Sequence, residues 1–465
     1  MSSEQKAFSN ATLAPTDPSR LRLLAQQADF WRSLFADIDR YGPKCDPLVH
    51  PEDGGLDVFF DESVQRPRPD KLQMTQPQLD EMALSHKNFV SKLKERHYTL
   101  PYNTGTRGIV TTAGGPYLAV ALVSIRMLRR TGSHLPVEVF LGSQDEFDPE
   151  ICGVVMPLFN ARCIVLHDIF KQAGLGHVEI DKYQYKIMAI MFSSFEDVLF
   201  LDSDCFPVLA PDDLMISEPF NTTGLVLWPD YWYPSESPLF FDIAGIQAPN
   251  LWAQASTESG QIIYSKSKHG LSLLLAAYYN YYGPEYYYPL QSQGAPGEGD
   301  KETFLWGAVA FSEPFYHVRK MPQALGYTTT LGEWRGSAIL QFDPTQDFNR
   351  SMQLMYGETL DLTEPQPFFI HANFPKFSPS SIFTIKSFGA AGPTRDDDGT
   401  MRRIWHSNAA ASVEAFGFDL ERRLWEEIHD IGCQYEHVFT AWHDVKDICK
   451  NATLYWQTVI EPDTL

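Results

Sequence analysis

Apolar runs and stretches with helical spacing alternate along the chain from about residue 107. The β-branched run at 107–113 ends at Gly114 and Gly115, and the stretch at 117–130 places its apolar residues on one side of a helix. The same alternation predicts strands at 136–141, 163–166 and 197–201 and helices at 149–159 and 182–195. Strands separated by helices of this length predict a parallel sheet covered on both faces, with ligands at the carboxyl ends of its strands.

The chain differs in character on either side of this alternation. Residues 1–104 combine Pro-rich and charged stretches with helical patterns such as 21–38, and we interpret them as an accessory N-terminal region. A central domain is predicted at 105–385, and a C-terminal extension that packs on it at 386–465. Later elements are predicted as strands at 224–228, 261–264, 338–342 and 367–371 and a helix at 413–431. The aromatic-rich segments 228–240 and 278–288 are predicted to be loops; their rings could stack on sugars, but core packing is favoured for most of them.

Composition narrows the possible partners. The 465 residues are 44% hydrophobic and 13% aromatic, which is enough to bury a large core. The formal net charge of −22 repels nucleic acid and anionic lipid, so we predict neither as a partner. An anionic nucleotide would have to be held locally, by a bound cation or by a few lysines and backbone N–H groups.

The sharpest chemical signal is the pair Asp202 and Asp204 at the end of the apolar strand 197–201. Residues two apart on an extended backbone project to the same side, and two hard oxygen ligands can hold Mg²⁺ or Mn²⁺ against a diphosphate. The alternative is a simple strand-ending turn, in which Asp and Ser are common. The preceding buried-strand residues favour a site.

Two other segments carry candidate residues. Strand 367–371 ends in His371, followed by Lys376; an imidazole can complete the coordination of a divalent ion, and a lysine can bind a phosphate. The glycine-rich loop at 297–302 is predicted to place Asp300 and Glu302 in the first turn of a helix, where acidic residues are also common for capping reasons. Glu258, just before the strand at 261–264, has the same ambiguity.

Five blocks in this order resemble the fungal α-mannosyltransferase family that elongates cell-wall and N-glycan mannan: GIVTTAGGPYLAVALVSIRMLR, YQYKIMAIMFSSFEDVLFLDSDCFPV, ESGQIIYSK, GDKETF and HANFPK. The resemblance runs from about residue 107 to 377. It implies an α/β fold of the glycosyltransferase A type, a Rossmann-like mixed sheet flanked by helices with N- and C-terminal extensions. It also implies Mn²⁺ (or Mg²⁺) as cofactor, GDP-mannose as donor, a glycan or glycoprotein as acceptor, and retention of the α configuration.

The resemblance assigns candidate roles to individual residues. Asp202 and Asp204 match its metal motif, and His371 is the expected third metal ligand. Glu258 and Asp300 are the predicted catalytic carboxylates. Contacts to the donor are predicted at Thr111, Gly114, Lys186, Asp202, Gly260 and Lys376. Lys301 also falls in a matching block, and a retaining transferase would use either a carboxylate nucleophile or a same-face attack assisted by the leaving phosphate.

Three alternatives stay open at this point. A transferase of the same fold could use a UDP-sugar, or the chain could be a catalytically silent glycan-binding relative. A metal-dependent phosphohydrolase is less well supported, because no suitable second metal cluster or nucleophile spacing is visible in the sequence.

The resemblance implies a Golgi luminal location, in a family usually anchored by an N-terminal membrane segment. No signal or membrane-spanning segment is visible in the sequence, so a membrane is expected only through an anchor outside this chain, and a secreted or cytoplasmic location stays open. Four Asn-x-Ser/Thr sequons, at Asn10, Asn221, Asn349 and Asn451, and the cysteine pair Cys433 and Cys449 lean toward the secretory route.

Overall fold

Parallel strands alternate with helices in the first half of the central region. The computed structural model describes residues 18–51, 57–297, 299–356, 363–385, 392–396 and 398–463. The first four strands are β1 (Asn103–Thr112), β2 (Val137–Leu141), β3 (Ala161–Val165) and β4 (Phe195–Leu201). They pair in parallel in the order β3-β2-β1-β4. Their carboxyl ends therefore lie along one edge, as the alternation predicts.

The other half of this sheet is not purely parallel. Its strands are β6 (Leu225–Pro229), β7 (Thr257–Ser265) and β8 (Tyr316–His317). β7 is antiparallel to both β4 and β6, and β8 is parallel to β6, so the full order is β3-β2-β1-β4-β7-β6-β8. The predicted mixed α/β sheet flanked by helices is confirmed. The parallel arrangement predicted from the first strands holds for β1 to β4, and the sheet becomes mixed where β7 runs back along β4.

A second, antiparallel sheet lies next to the first and contains two of the predicted strands. It is formed by β5 (Cys205–Pro207), β9 (Gln323–Thr328), β10 (Trp334–Phe342) and β11 (Pro367–His371), in the order β5-β11-β10-β9. β5 begins directly after Asp204, and His371 at the end of β11 is aligned with Cys205. Two segments more than 160 residues apart along the chain are thereby joined at the end of β4.

The two terminal regions pack on opposite faces of the main sheet. Successive side chains of a strand point to opposite faces, and in β4 Leu199 joins one buried cluster while Phe200 joins the other. Trp425 of the C-terminal region belongs to the cluster of Leu199. Trp31, on the first helix, belongs to the cluster of Phe200. Both terminal regions thus complete the core, while the boundaries at 104 and 385 stay predictions.

The helices agree with the predicted ones in most places. The α-helices span Pro18–Arg40, Gln76–Glu95, Tyr117–Arg130, Met156–Leu158, Leu166–Gln172, Gln184–Phe192, Phe220–Thr223, Pro238–Ala244, Gly270–Tyr281, Tyr288–Ser292, Thr303–Phe311, Pro344–Tyr356, Ala409–Phe416, Leu420–Tyr435 and Ile448–Tyr455. Short π-helices span Ile151–Val155, Gly283–Tyr287 and Trp456–Ile460, and 3-10 turns span Gln144–Glu146 and Thr440–Trp442.

Two predictions about helices are wrong. The helix predicted at 413–431 is two helices, because Gly417 adopts a left-handed φ of 78° that ends the first, and Asp419 caps the second. The segment 278–288 is helical rather than a loop, and Tyr278, Tyr279 and Tyr287 are fully buried. Their rings pack in the core, as favoured for most aromatic residues.

The cysteines form two disulfides, Cys152–Cys163 and Cys433–Cys449, while Cys45 and Cys205 are free. The second disulfide joins the pair noted in the sequence. None of the helices described is both long enough and apolar enough to cross a bilayer. Asn10, the first sequon, lies outside the described residues.

Candidate active site

A tight turn at the end of β4 carries the two aspartates. The Asp202 amide donates to the Gly260 carbonyl at 2.8 Å, which continues the pairing with β7, and the Cys205 amide donates to the Asp202 carbonyl at 2.9 Å. The side chain of Asp202 is 26% exposed, whereas that of Asp204 is 2% exposed. The segment is therefore a strand-ending turn, which was the alternative to a metal site. It also holds two carboxylates at the carboxyl edge of the sheet.

His371 lies beside both carboxylates. Its Nε2 is 3.5 Å from Asp204 Oδ1 and 3.9 Å from Asp202 Oδ2. The Ala372 amide donates to the Asp204 carbonyl at 2.9 Å and so locks the end of β11 to this turn. One potential ligand atom from each of the three side chains lies within 4.8 Å of the others. Two carboxylates and an imidazole at this spacing fit Mn²⁺ or Mg²⁺.

Glu258 supports His371 from the opposite side of the ring. Glu258 Oε1 lies 3.0 Å from His371 Nδ1 and accepts a hydrogen bond from the Gly260 amide at 2.7 Å. Its Oε2 accepts from the side-chain amide of Gln261. A carboxylate on the second ring nitrogen fixes the orientation of a histidine whose other nitrogen faces a metal. Both oxygens of Glu258 are thus engaged in holding other groups.

Gly260 is required by this contact. A Cβ atom at Gly260 would lie 2.4 Å from His371 Nδ1 and 2.9 Å from Glu258 Oε1. Neither atom is at the free end of an unconstrained side chain, since each bonds the other. Gly260 therefore belongs to the site through its missing side chain and through its carbonyl, which accepts from Asp202.

Two lysines neutralise the two aspartates. Lys186, on the helix Gln184–Phe192, places Nζ 3.2 Å from Asp202 and 2.8 Å from the Ser259 carbonyl. Lys376 contacts Asp204 and is partly exposed. Lys376 lies where an anionic ligand at the aspartates would meet it, whereas Lys186 is buried.

Asp300 reaches the site from the glycine-rich loop, but not from a helix. The helix begins at Thr303, so the prediction that Asp300 and Glu302 lie in its first turn is wrong. Asp300 is buried 3.7 Å from the Lys186 ammonium, and its burial raises the pKa of its carboxyl. Glu302 instead accepts from the Thr257 amide at 2.8 Å, and burial together with a neighbouring glutamate raises the pKa of Glu302 to about 8.

The two donor contacts predicted near the end of β1, Thr111 and Gly114, have different neighbours. Thr111 is buried and lines a small cavity together with Asp202 and Ser203. Gly114 lies against Glu146, whose carboxylate would be 2.3 Å from a Cβ at this position. The structure thus places Thr111 next to Asp202 and Gly114 next to Glu146.

Charge coupling within the site is strong. Burial alone would lower the pKa of His371, but Asp204 and Glu258 outweigh it and raise that pKa to about 10. Although burial opposes it, the same His371 contact and Lys376 hold the pKa of Asp204 well below its usual range. The imidazole therefore carries a proton in this arrangement, which a metal ion would displace.

Sequence reasoning missed Asp230. Its carboxylate lies 2.6 Å from the Lys301 ammonium, which also donates to the Ser256 hydroxyl at 2.9 Å. Asp230 follows the end of β6, beside the strand that carries Glu258. The sequence does place this carboxylate just after an apolar run, but the neighbouring aromatic residues led to the prediction of a loop.

The sequence profile of Mannosyl_trans3, a mannosyltransferase family, matches residues 106–254 and 248–343. This match covers more than half of the chain and includes both aspartates, Glu258 and Asp300. The chain belongs to this family. The family resemblance predicted from the five sequence blocks is confirmed.

Curated relatives agree with this membership. Alpha-1,2-mannosyltransferase MNN21 of Candida albicans is 33% identical over 81% of this chain and 65% of its own length. Alpha-1,2-mannosyltransferase MNN2 of Saccharomyces cerevisiae is 34% identical over 67% of this chain and 63% of its own length. The chain thus spans a little under two thirds of the length of these relatives.

Among solved structures, the glycosyltransferase GlyE of Streptococcus pneumoniae matches with a TM-score of 0.30 and 14% identity, over 46% of this chain and 45% of GlyE. Similarity at that level says nothing about chemistry.

Proposed function

We propose that this chain transfers mannose from GDP-mannose to a glycan or glycoprotein acceptor, with retention of the α configuration and with Mn²⁺ or Mg²⁺ as cofactor. The observation that carries the proposal is the convergence of Asp202, Asp204 and His371 at the end of β4 in a chain of a mannosyltransferase family. The names of the relatives make an α-1,2 linkage the first to test. The family resemblance extends the proposal to a Golgi luminal setting.

Each part of the site has a role in this proposal. Asp202, Asp204 and His371 would hold the cation, which supplies positive charge to the departing diphosphate. Lys376 is partly exposed next to Asp204, so its ammonium can turn to a phosphate oxygen. Lys186 keeps Asp202 in place from within the core.

The two predicted catalytic carboxylates take different roles. Glu258 has both oxygens engaged, so we assign it to positioning His371 rather than to attack on the sugar. The Asp300 carboxylate is buried, and its ammonium neighbour is 3.7 Å away. Asp300 is therefore the carboxylate we assign to the reacting face of the sugar, where it serves either as a nucleophile or as a stabilising charge for a same-face attack.

The test is metal-dependent donor binding. GDP-mannose with Mn²⁺ should raise the melting temperature of the protein, because a ligand that binds only the folded state stabilises it. Asp204→Ala should abolish this shift, whereas Asp444→Ala, at a fully exposed aspartate, should not. Donor binding that persists in excess EDTA and in Asp204→Ala would contradict the proposal.

The same assay separates the close alternatives. A larger shift with UDP-sugars than with GDP-mannose would keep the fold and change the donor. Binding without slow donor hydrolysis or transfer would favour a catalytically silent glycan-binding relative.

A further inference from the structure

Three aromatic residues form a partly exposed surface, the aromatic platform, defined by Phe59, Tyr231 and Trp232. The rings of Phe59 and Trp232 are stacked, with centroids 4.9 Å apart and planes 17° apart, and Tyr231 meets the Phe59 ring edge-on at 6.1 Å. Phe59 is 66% exposed. A stacked pair that keeps one large ring in solvent is available to bind a flat apolar surface.

Backbone hydrogen bonds fix the platform in place. Phe59 forms a β-bridge with Trp232, and the Phe60 amide donates to the Tyr231 carbonyl at 2.7 Å. The Tyr233 hydroxyl donates to the Asp61 carbonyl at 2.7 Å. A segment of the N-terminal region is thereby tied to the loop after β6. The rings do not have to become ordered when a ligand arrives, which reduces the entropic cost of binding.

The platform continues from the candidate active site. β6 and β7 place Trp228 opposite Glu258, and beyond that pair the Asp230 amide donates to the Ser256 carbonyl at 2.7 Å. The Ser256 amide in turn donates to the Trp232 carbonyl at 2.9 Å. The same ladder of hydrogen bonds thus leads from the residue that supports His371 to the stacked rings.

The side chains between the two places are polar. Asp230 is paired with Lys301. The hydroxyl of Tyr231 is buried, and it has no hydrogen-bond partner within the part of the chain that the structure describes. A buried hydroxyl without a partner is costly.

An open groove of about 550 Å³ begins at Phe59. It is lined by apolar residues and by charged ones of both signs, among them Asp61, Glu62, Arg66 and Arg319. The volume lies within the range of small-ligand sites, roughly 300–1,000 Å³. A sugar has an apolar C–H face and a rim of hydroxyl groups, so it can use stacked rings and carboxylates together. The two carboxylates balance the two arginines, so the groove offers no net positive charge to attract an anionic nucleotide.

We propose that the aromatic platform binds the glycan acceptor, with one sugar ring stacked on the exposed face of Phe59, which Trp232 supports from the other side, and the adjacent sugars in the groove. This inference rests on the proposed transferase function and names the place of its acceptor. It also gives the N-terminal region a part in substrate binding, because Phe59 comes from that region.

The test compares acceptor and donor kinetics in Phe59→Ala and Trp232→Ala. We expect the KM for an oligomannose acceptor to rise by about three- to tenfold, which corresponds to the loss of one aromatic stacking contact. The KM for GDP-mannose and the slow hydrolysis of GDP-mannose in the absence of acceptor should not change. Trp334→Ala, at another exposed aromatic residue, is the matched control and should leave all three values unchanged.

Other outcomes would overturn the inference. An unchanged acceptor KM, or an equal rise in Trp334→Ala, would show that the platform does not bind the acceptor. A raised KM for GDP-mannose would assign the rings to the nucleotide base instead. Saturation-transfer NMR of oligomannose with the donor-free protein separates this inference from the proposed function, because it detects platform-dependent sugar binding even if no transfer occurs. A signal that is the same in wild type and Phe59→Ala would refute the inference.

Discussion

The site leaves no room for a methyl group at Gly260. The backbone of Gly260 does not adopt a positive φ, so Gly260→Ala introduces no backbone strain and tests the side-chain contact alone. The added Cβ would lie 2.4 Å from His371 Nδ1, whereas ordinary contacts begin at 3.4 Å. The imidazole must therefore retreat from its place between Glu258 and the aspartates.

The size of the effect follows from that distance. The ring has to move by about 1 Å, and a misplacement of this size costs roughly 100-fold in rate. Loss of the correct orientation of a metal-ligating histidine costs about 10- to 100-fold in metal affinity. We therefore expect the transfer rate and the Mn²⁺ affinity to fall together. The fold should be retained, since the clash is confined to two side chains.

The assay is calorimetric titration of Mn²⁺, followed by transfer rates at saturating Mn²⁺. Gly153→Ala is the matched control, because nothing lies within 4 Å of a Cβ at that position. Circular dichroism and thermal melts verify that both variants are folded. If Gly260→Ala bound Mn²⁺ as tightly as wild type and kept its rate, the assignment of His371 to the metal site would be refuted.

Three further predictions concern charged residues near and away from the site. Glu258→Gln should weaken Mn²⁺ binding by about 10- to 100-fold, as measured by titration, because a neutral amide supports His371 less well than a carboxylate does. Lys376→Ala should tighten Mn²⁺ binding by up to about fivefold, since a competing partner of Asp204 is lost. The same substitution should weaken donor binding. If Mn²⁺ affinity and donor affinity both rose or both fell, the assignment of Lys376 to the phosphates would be contradicted. Burial lowers the pKa of Lys266 to about 7. Between this value and the unfolded value of about 10.4 the unfolded chain binds more protons at this lysine, so the contribution of Lys266 to stability rises with pH. Urea melts at two pH values should show that the free energy of unfolding of wild type minus that of Lys266→Met increases with pH, which separates this effect from the opposite trend caused by the raised pKa of His371.

The candidate metal ligands came from two sources: Asp202 and Asp204 from their place after an apolar strand, and His371 from the family resemblance. Asp202 and Asp204 follow β4, and His371 ends β11. The carboxyl ends of parallel strands lie along one edge of a sheet, so the place of the two aspartates at that edge followed from their position after β4. The sequence did not show that β11 belongs to a second sheet, since the pairing of β11 with β5 depends on contacts between distant segments.

Other features depended on information that local pattern does not contain. The role of Glu258 follows from its contact with His371, which lies 113 positions away. The helix near Asp300 begins later than predicted because the loop carries Asp300 inward to Lys186 before the helix starts. The sequence pattern also did not predict that the N-terminal region contributes to the aromatic platform, because Phe59 pairs with a residue far along the chain.

The charges of the site support the proposal that it binds a cation in addition to its lysines. Lys186 is paired with Asp202 and Lys376 with Asp204, and the protonated His371 lies between Asp204 and Glu258. Each cationic side chain is thus already matched by a carboxylate, and the protein around them carries a formal charge of −22. A diphosphate entering this arrangement would meet no surplus of positive charge. Asp202 and Asp204 would hold a divalent ion that supplies this positive charge, and Lys376 would then be free to contact the phosphates.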